Sequence, residues 1–207
     1  MITGSIVLFD ENLSDLHNTI DSFLNIPLKK KLFLIDNTPN KFFEYVFTSE
    51  FIEYIAVEEN IGFGAGHNKM LNKINEISDY HLVLNPDVSF SLSVIPNLIK
   101  ELVKDDILAM IAPKVLFLDK SHQYSCRRYP NIIELIVRRF AFLQPFFQNI
   151  ISKGEYRDKD LSKPFYADYL SGCFQLYKTA DFIRLKGFDN ATFYTWKMLI
   201  FVKKLIQ

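Results

Sequence analysis

The sequence has little that would mark a secreted, metal-stapled or membrane-spanning protein. Its two cysteines, Cys126 and Cys173, are isolated from each other and from any histidine at metal-ligand spacing, which excludes a disulfide framework or a zinc site. We therefore expect a reducing, cytoplasmic location. No uninterrupted apolar run approaches the ~18 residues that a transmembrane helix needs. The start, Met1 to Asp10, lacks the basic region of a secretory signal, so none is expected.

Net charge is also lacking. The 24 basic and 24 acidic side chains cancel, so no overall field attracts nucleic acid and we expect no such partner. Aromatic residues, in contrast, are abundant, with 20 Phe and 10 Tyr among 207 residues. This exceeds what a small core requires and keeps peripheral contact with a membrane surface open as an alternative.

The hydrophobic pattern predicts strands that alternate with helices. Apolar runs of strand length, such as Lys31–Ile35 and His81–Leu84, end in turn-forming residues. Helical spacing of apolar residues begins after an Asn12 or Ser14 cap and returns over Gly66–Ile77. Such alternation predicts an α/β domain whose parallel sheet is covered by helices on both faces.

Residues that directly follow the strands are the candidate site, because open parallel sheets bind ligands at the carboxyl ends of their strands. Asp36 and Asn37 follow the second strand and could accept hydrogen bonds from a nucleobase or ribose. An Asx turn that satisfies only its own backbone is an equally good interpretation.

A glycine-rich loop, residues 60–68 (NIGFGAGHN), leads into the next predicted helix. Gly62, Gly64 and Gly66 would let the backbone approach a diphosphate closely, and the helix start would offer free N–H groups. The glycine spacing and the late position of the loop differ from the dinucleotide fingerprint, so NAD is not expected.

Asn85-Pro86-Asp87 leaves one carboxylate at the end of a further strand. Asp87 could bind Mg²⁺ or Mn²⁺, since such ions take one or two carboxylates and fill their remaining shell with substrate phosphates and water. The alternative is a plain Pro-Asp turn. A base-contact turn, a glycine loop and a lone carboxylate, in this order on one sheet, together describe a site for a nucleotide-diphospho-sugar donor.

These motifs resemble those of the family 2 glycosyltransferases with the GT-A fold, in particular the rhamnosyltransferase-like enzymes of bacterial polysaccharide synthesis. The matching segments run in the family's order over nearly the whole chain: Ile6-Val7, Ile35-Asp36-Asn37, residues 60–68, residues 84–88, Ser171-Gly172-Cys173-Phe174 and Gly187-Phe188-Asp189. The resemblance implies a GT-A domain over residues 1–189, with a donor half (1–118) and an acceptor-side half (119–189).

The resemblance also assigns roles to residues. Asp36 would contact the donor base, the glycine-rich loop would line the diphosphate-sugar, and Asp87 would hold the divalent cation. The implied donor-binding residues are Asp36, Asn37, Asn60, Gly62, Phe63, Gly64, Gly66, Asn68, Asn85 and Asp87. Ser171 and Gly172 would border the acceptor.

The implied reaction is inverting transfer of a sugar, with a carboxylate removing the proton of the acceptor hydroxyl. Arg127-Arg128-Tyr129-Pro130 is similar to the rhamnosyltransferase subgroup, which implies dTDP-rhamnose as the donor. The acceptor would be a saccharide or lipid-linked saccharide of cell-surface polysaccharide or lipopolysaccharide synthesis. The enzyme would then work in the cytoplasm or peripherally on the inner face of the membrane.

The sequence departs from the family after Gly-Phe-Asp. Members carry the base in a Glu-Asp-x-Asp stretch there, whereas no carboxylate follows Asp189 in this sequence. Trp and Met each have one codon, so reading Trp196-Lys197-Met198 one base early gives Glu, followed by Asp when the lysine codon is AAG. We interpret residues 190–207 as an out-of-frame tail that leaves the C-terminal part of the fold incomplete. The alternative is a divergent helix.

Two questions of function remain open from the sequence. No catalytic residue is identified, with Asp168 as the fallback base, so a non-catalytic nucleotide-sugar-binding module is the alternative to an enzyme. The segment Asn131–Ile151 is apolar but carries Arg138-Arg139 and Pro145, which indicates one amphipathic helix followed by a kinked or second one. It would either cover the sheet with its apolar stripe or lie on a membrane surface.

Overall fold

The computed structural model of the protein describes residues 1–39, 43–44, 46–57, 59–129, 132–189 and 205–206. Within these ranges the strands are β1 (Ile2–Leu8), β2 (Lys30–Asp36), β3 (Ile52–Ala56), β4 (Tyr80–Leu84), β5 (Met110–Pro113), β6 (Cys126–Arg127), β7 (Tyr169–Leu170), β8 (Phe174–Lys178) and β9 (Leu205–Ile206). The helices are α1 (Leu13–Leu24), α2 (Phe63–Asn68), α3 (Leu71–Ile77), α4 (Val94–Leu102), α5 (Ile132–Arg139), α6 (Gln148–Gly154) and α7 (Thr179–Arg184), with a 3₁₀ helix, Ala141–Phe146, between α5 and α6.

The central sheet has the strand order β3-β2-β1-β4-β8-β5-β9. Pairing is parallel from β3 to β4 and between β5 and β9, but β8 is antiparallel to both β4 and β5. The fold class is confirmed as α/β, and the predicted sheet is mostly parallel. The direction of β8 follows from where the chain enters it, because the N–H of Asn85, just past β4, donates to the carbonyl of Cys173, just before β8, at 2.9 Å.

Helices cover both faces of this sheet. All seven residues of β1 are buried, as expected of a strand with protein on either side. The predicted Asn12 cap of α1 is confirmed, since its Oδ1 accepts from the N–H of Ser14 at 2.9 Å and of Asp15 at 3.2 Å. α1 and α4 pack on one face through the core residues Leu16, Ile20, Phe23, Ile95, Leu98 and Leu102. α3 and α7 pack on the other through Met70, Ile74 and Phe182.

The helix predicted over Gly66–Ile77 is instead two helices, α2 and α3. At the break the N–H of Lys69 bonds to Gly66 and that of Met70 to His67, at 3.1 and 3.2 Å. These bonds reach back three residues rather than four, which tightens the turn and ends α2.

The segment after Asn131 contains a helix and then a second one, as predicted, but its apolar stripe does not cover the sheet. Ile132 and Ile136 are 77% and 48% exposed, whereas Glu134 on the opposite side of α5 is 4% exposed. The expectation of an apolar stripe in the core is therefore wrong. Charged partners inside the protein, described below, draw the polar side of α5 inward.

Three further expectations concern membrane-spanning helices, the tail after Asp189 and the cysteines. No helix among them is both long and apolar enough to cross a membrane. The predicted out-of-frame tail lies outside them except for Leu205–Ile206, which pair with Ala112 and Pro113. Cys126 and Cys173 are buried and free, as expected.

Two buried histidines, His67 of α2 and His81 of β4, share a hydrogen-bond partner on β1. The hydroxyl of Ser5 is hydrogen-bonded to Nδ1 of His67 at 2.7 Å and to Nε2 of His81 at 2.9 Å. Thr3 is bonded to Nδ1 of His81 at 2.8 Å. Burial lowers the pKa of His81 to about 3 and lowers that of His67 well below its ordinary value.

These pKa shifts predict acid sensitivity. At neutral pH both histidines are uncharged in the folded and unfolded chains, but below pH ~6.5 only the unfolded chain takes up the protons, so stability falls. Between pH 7 and pH 5 we expect the native chain to lose about 2 kcal/mol more free energy of unfolding than His81→Asn. Urea titrations at the two pH values measure this difference. The exposed His17→Asn variant is the control, and an equal loss in the native and His81→Asn chains would contradict the assignment.

Candidate functional site

The strand order reverses between β1 and β4, which places a ligand crevice at the carboxyl ends of these two strands. Asp87 follows β4 and Glu11 follows β1. Burial raises the pKa of Glu11, a hydrogen bond from the N–H of Phe9 opposes this, and the negative charge of Asp87 raises it further. The charge of Asp87 therefore acts on Glu11, which follows the other strand of the crevice. The sequence analysis missed Glu11, although its position after a strand was a usable signal.

Asp87 lies on a turn whose backbone is held by two hydrogen bonds. The carbonyl of Pro86 accepts from the hydroxyl of Thr19 at 2.7 Å, and Asn85 is bonded to Cys173 as described above. The side chain of Asp87 is exposed and makes no hydrogen bond or ion pair with another described residue. A plain Pro-Asp turn would leave it without a structural purpose.

A divalent cation fits these two carboxylates only with help from a ligand. Nowhere in the described ranges do three or more His, Cys, Asp or Glu side chains form a group that could hold a metal ion. Hard cations such as Mg²⁺ accept this arrangement, because one or two carboxylates suffice when substrate phosphates and water complete the shell.

Asp36 lies buried at the end of β2, where protein groups contact both of its oxygens. Oδ1 accepts from the N–H of Thr38 at 2.7 Å, and Oδ2 accepts from the hydroxyl of Tyr54. Burial and the bond to Asp36 raise the pKa of Tyr54 above its ordinary value. The contact with Thr38 is the Asx turn that the sequence left open, so a donor base could reach only the remaining lone pairs of Asp36.

Asn37 joins the end of β2 to the glycine-rich loop. Its Nδ2 donates to the carbonyl of Gly62 at 3.3 Å and to Oδ1 of Asn60 at 3.4 Å. Asn60 in turn accepts from the N–H of Gly62 at 2.9 Å. The Oδ1 of Asn37 is buried without a partner in the described part of the chain, an unfavourable state that a hydrogen-bond donor would relieve.

The glycines of the loop serve different purposes. Gly62 has a φ of 82° at the start of α2, a conformation that favours glycine. A Cβ on Gly64 would lie 2.9 Å from Cβ of Phe188, and one on Gly66 would lie 2.7 Å from Cγ2 of Val7. Glycine at these two positions is therefore explained by close packing against the protein, which differs from the expected approach to a diphosphate.

Asn68 clamps the loop to the Gly-Phe-Asp segment. Its Nδ2 donates to the carbonyl of Phe188 at 2.7 Å and its Oδ1 accepts from the N–H of the same residue at 2.8 Å. The rings of Phe63 and Phe188 meet edge-on, with centroids 5.6 Å apart. Two segments that lie 120 positions apart in sequence thereby form one wall beside the crevice.

A second feature is a cavity of about 610 Å³ whose wall combines charged and polar residues with apolar ones. Ser171 and Gly172 line it, and Gly172 directly precedes Cys173, so the cavity lies beside the strand end that carries Asp87. The charged side chains in its wall are Arg127, Arg138, Arg157, Glu134 and Glu155, and the aromatic ones include Tyr124 and Tyr169. The predicted acceptor-side residues thus border a space large enough for a saccharide unit.

Glu155 is the centre of the charged wall. Arg127 donates to its Oε1, and Arg157 Nε donates to Oε2 at 2.8 Å. Arg138 Nη2 also donates to Oε1, at 3.3 Å. Burial alone raises the pKa of Glu155, but the bonds from Arg127, Arg157 and Arg138 outweigh it and hold the pKa below its ordinary value. Arg138 also donates from Nε to Glu134 at 2.9 Å. The four-residue spacing of Glu134 and Arg138 was the only sequence signal for this network.

Two further predicted residues make contacts outside the lining of the cavity. Arg128 forms a bidentate pair with Asp158, at 2.7 and 2.8 Å, and its guanidinium lies 4.1 Å from the centroid of the Tyr156 ring. Asp168, the fallback base, accepts from the N–H of Tyr129 at 3.0 Å and does not line the cavity.

A mostly parallel, helix-flanked sheet of this order is the GT-A fold of glycosyltransferases. No protein-family model matches the chain. The chain is similar to rhamnosyltransferase WbbL of Escherichia coli strain K12, with 27% identity over 140 residues that cover 64% of this chain and 49% of WbbL. The chain thus spans about half the length of that relative. The similarity confirms the resemblance to rhamnosyltransferase-like enzymes.

Solved structures share the fold at low identity. GalNAc-T7, described with UDP, GalNAc and Mn²⁺, matches at 13% identity and a TM-score of 0.65, over 91% of this chain and 36% of that one. Mannosyltransferase PcManGT of Pyrobaculum calidifontis, in complex with GDP-Man and Mn²⁺, matches at 12% identity and a TM-score of 0.57, over 91% of this chain and 47% of that one. S. aureus TarS 1-349 matches at 8% identity and a TM-score of 0.60, over 99% of this chain and 60% of that one.

The clamp from Asn68 to Phe188 predicts a stability effect. Asn68→Ala removes both hydrogen bonds and leaves a part-buried N–H and carbonyl unpaired, which should lower the free energy of unfolding by about 1–3 kcal/mol. The control is Asn72→Ala, an exposed position on the neighbouring α3, which should change it by less than about 0.5 kcal/mol. Urea denaturation measures both variants. Equal stability of the two would show that the clamp contributes nothing.

Proposed function

We propose that this chain binds a nucleotide-diphospho-sugar at the carboxyl ends of β1, β2 and β4, and that its chemistry is inverting glycosyl transfer. The observation that carries the proposal is the exposed carboxylate of Asp87, which has no partner among the described residues and lies at the point where the strand order reverses. The similarity to WbbL, a rhamnosyltransferase, supports rhamnose as the transferred sugar, and the resemblance of residues 127–130 to the rhamnosyltransferase subgroup supports dTDP-rhamnose as the donor. The GT-A neighbours described with UDP or GDP-Man support a nucleotide-linked donor.

A divalent cation, Mg²⁺ or Mn²⁺, belongs to this proposal. Asp87 would hold it, with Glu11 as the second carboxylate and donor oxygens completing the shell. When bound, the ion would neutralise charge on the departing nucleoside diphosphate. The chain's own groups would hold the donor. Asn37 offers a carbonyl oxygen that has no partner in the described part of the chain, and the first turn of α2, which no side chain caps, offers backbone N–H groups.

The two halves of the chain would divide the substrates between them. Residues 1–118 contain the donor residues, and residues 119–189 contribute most of the cavity at the end of β4. Its guanidinium and carboxylate groups, together with Tyr124 and Tyr169, suit the hydroxyls and faces of a saccharide, free or lipid-linked. Two free, buried cysteines accord with a cytoplasmic reaction.

A non-catalytic nucleotide-sugar-binding module remains the second candidate. No carboxylate follows Asp189 in the sequence. Glu155, the most central carboxylate of the cavity, is kept ionised by three arginines and has a lowered pKa, which makes it a weak base. The lowered pKa of Glu155 is the structural observation that favours this second candidate.

The donor site is tested first. We expect calorimetry to show that dTDP binds in the presence of Mn²⁺ and that chelation of the ion removes this binding. Asp87→Asn should weaken the Mn²⁺-dependent affinity at least ten-fold, about 1.4 kcal/mol, because it removes the charged ligand without changing its size. Asp106→Asn, an exposed position away from the crevice, is the matched control. Undiminished affinity in Asp87→Asn would refute the metal assignment.

Turnover is tested separately. A version in which the shifted reading, with its Glu-Asp pair, replaces the residues after Asp189 should transfer rhamnose from dTDP-rhamnose to a lipid-linked saccharide about 10²–10⁴ times faster than this chain, the usual contribution of a positioned base. Donor affinity should be the same in both proteins. Equal transfer by both would show that the base lies among residues already present. Donor binding without transfer in either would favour the binding module.

A further inference from the structure

The α5 helix and the 3₁₀ helix after it expose apolar side chains that belong in a protein core. We call this surface the apolar face. It consists of Ile132, Ile133, Ile136, Phe140, Phe142 and Phe146, whose exposed fractions range from 48% to 81%. The rings of Phe140 and Phe142 lie 6.0 Å apart, which makes the surface continuous across the junction of the two helices. Single exposed apolar residues are ordinary, but a contiguous cluster marks an interaction surface.

The orientation of α5 is specified by the protein and is the reverse of a usual surface helix. Its inward side carries Glu134, Val137 and Arg138, of which Glu134 is 4% exposed and Arg138 is bonded to both Glu134 and Glu155. Turning the apolar side inward would remove these charges from their partners. The paired charges on the inward side of α5 therefore fix the orientation of the whole helix, and the apolar face points outward as a consequence.

The exposed charges carried by α5, the 3₁₀ helix and α6 themselves have one sign. Between Ile132 and Gly154 the exposed charged residues are Arg139 and Lys153, while Glu134, the acidic residue of this stretch, is buried and paired with Arg138. An apolar surface whose helices expose only basic charges is complementary to an anionic lipid surface, because the apolar groups enter the acyl boundary and the cations meet the headgroups.

We propose that the apolar face docks on an anionic lipid bilayer. The same helix then separates two environments, with lipid on its apolar side and the cavity on the side of Glu134 and Arg138. A saccharide attached to a lipid in that bilayer would reach the cavity around the edge of α5. This last consequence rests on the proposed function, whereas the docking itself does not.

The proposal is tested by co-sedimentation of the full chain with vesicles. We expect strong binding to phosphatidylcholine vesicles that contain phosphatidylglycerol, weaker binding to phosphatidylcholine alone, and a loss of binding as salt rises. The double variant Ile136→Asp/Phe142→Asp should reduce the bound fraction at least ten-fold. Ile107→Asp/Leu118→Asp adds the same charge at exposed apolar positions outside the apolar face and should leave the bound fraction unchanged. Arg139→Gln/Lys153→Gln should abolish the preference for anionic vesicles.

Folding and donor binding are followed in the same variants. Circular dichroism and Mn²⁺-dependent dTDP binding should be unchanged by Ile136→Asp/Phe142→Asp, so that lost sedimentation reports on the surface alone. Docking with no dTDP binding would remove the proposed donor site and leave the docking standing. Absence of the native chain from anionic vesicle pellets would overturn the docking, as would a dimer in light scattering that the same double variant dissociates, since a second copy would then be the occupant.

Discussion

The antiparallel pairing of β8 with β4 is the constraint on which the arrangement of the site depends. β8 belongs to the second half of the chain, yet it lies in the middle of the sheet between β4 and β5. Because it runs opposite to β4, its start lies at the edge where β4 ends. The cavity residues Ser171 and Gly172 are thereby brought to the end of β4, and a parallel β8 would carry them to the other edge of the sheet.

A second constraint is the buried charge network around Glu155. Three guanidiniums surround one carboxylate in a wall that includes the inward side of α5. Breaking such a network costs more than it gains, since an unpaired buried charge is strongly unfavourable. The network therefore determines which side of α5 faces the protein, and the outward position of its isoleucines is a consequence. Cavity chemistry and surface chemistry are linked through one helix.

The sequence motifs located the correct regions but did not always identify their purpose. The strand-end position of Asp87 and the turn at Asp36 were predictable, because turn-forming residues after apolar runs mark the carboxyl edge of a sheet. Gly64, Gly66 and Asn68 belong to the same motif, yet their contacts are with Val7 and Phe188 rather than with open space. Glycine spacing can serve close packing as readily as ligand contact, and the sequence pattern does not distinguish these two roles.

The sequence by itself determined the α/β alternation, the Asn12 cap, the order of the motifs and the absence of a disulfide framework, because these follow from local propensity and from which residue types are present. Only the tertiary structure decided that β8 reverses direction, that the charge of Asp87 acts on Glu11, that Glu155 pairs with three arginines and that α5 presents its isoleucines outward. Each of these depends on partners far away in the chain, and the free energy of a buried charge or a paired strand is specified by those partners rather than by neighbouring residues.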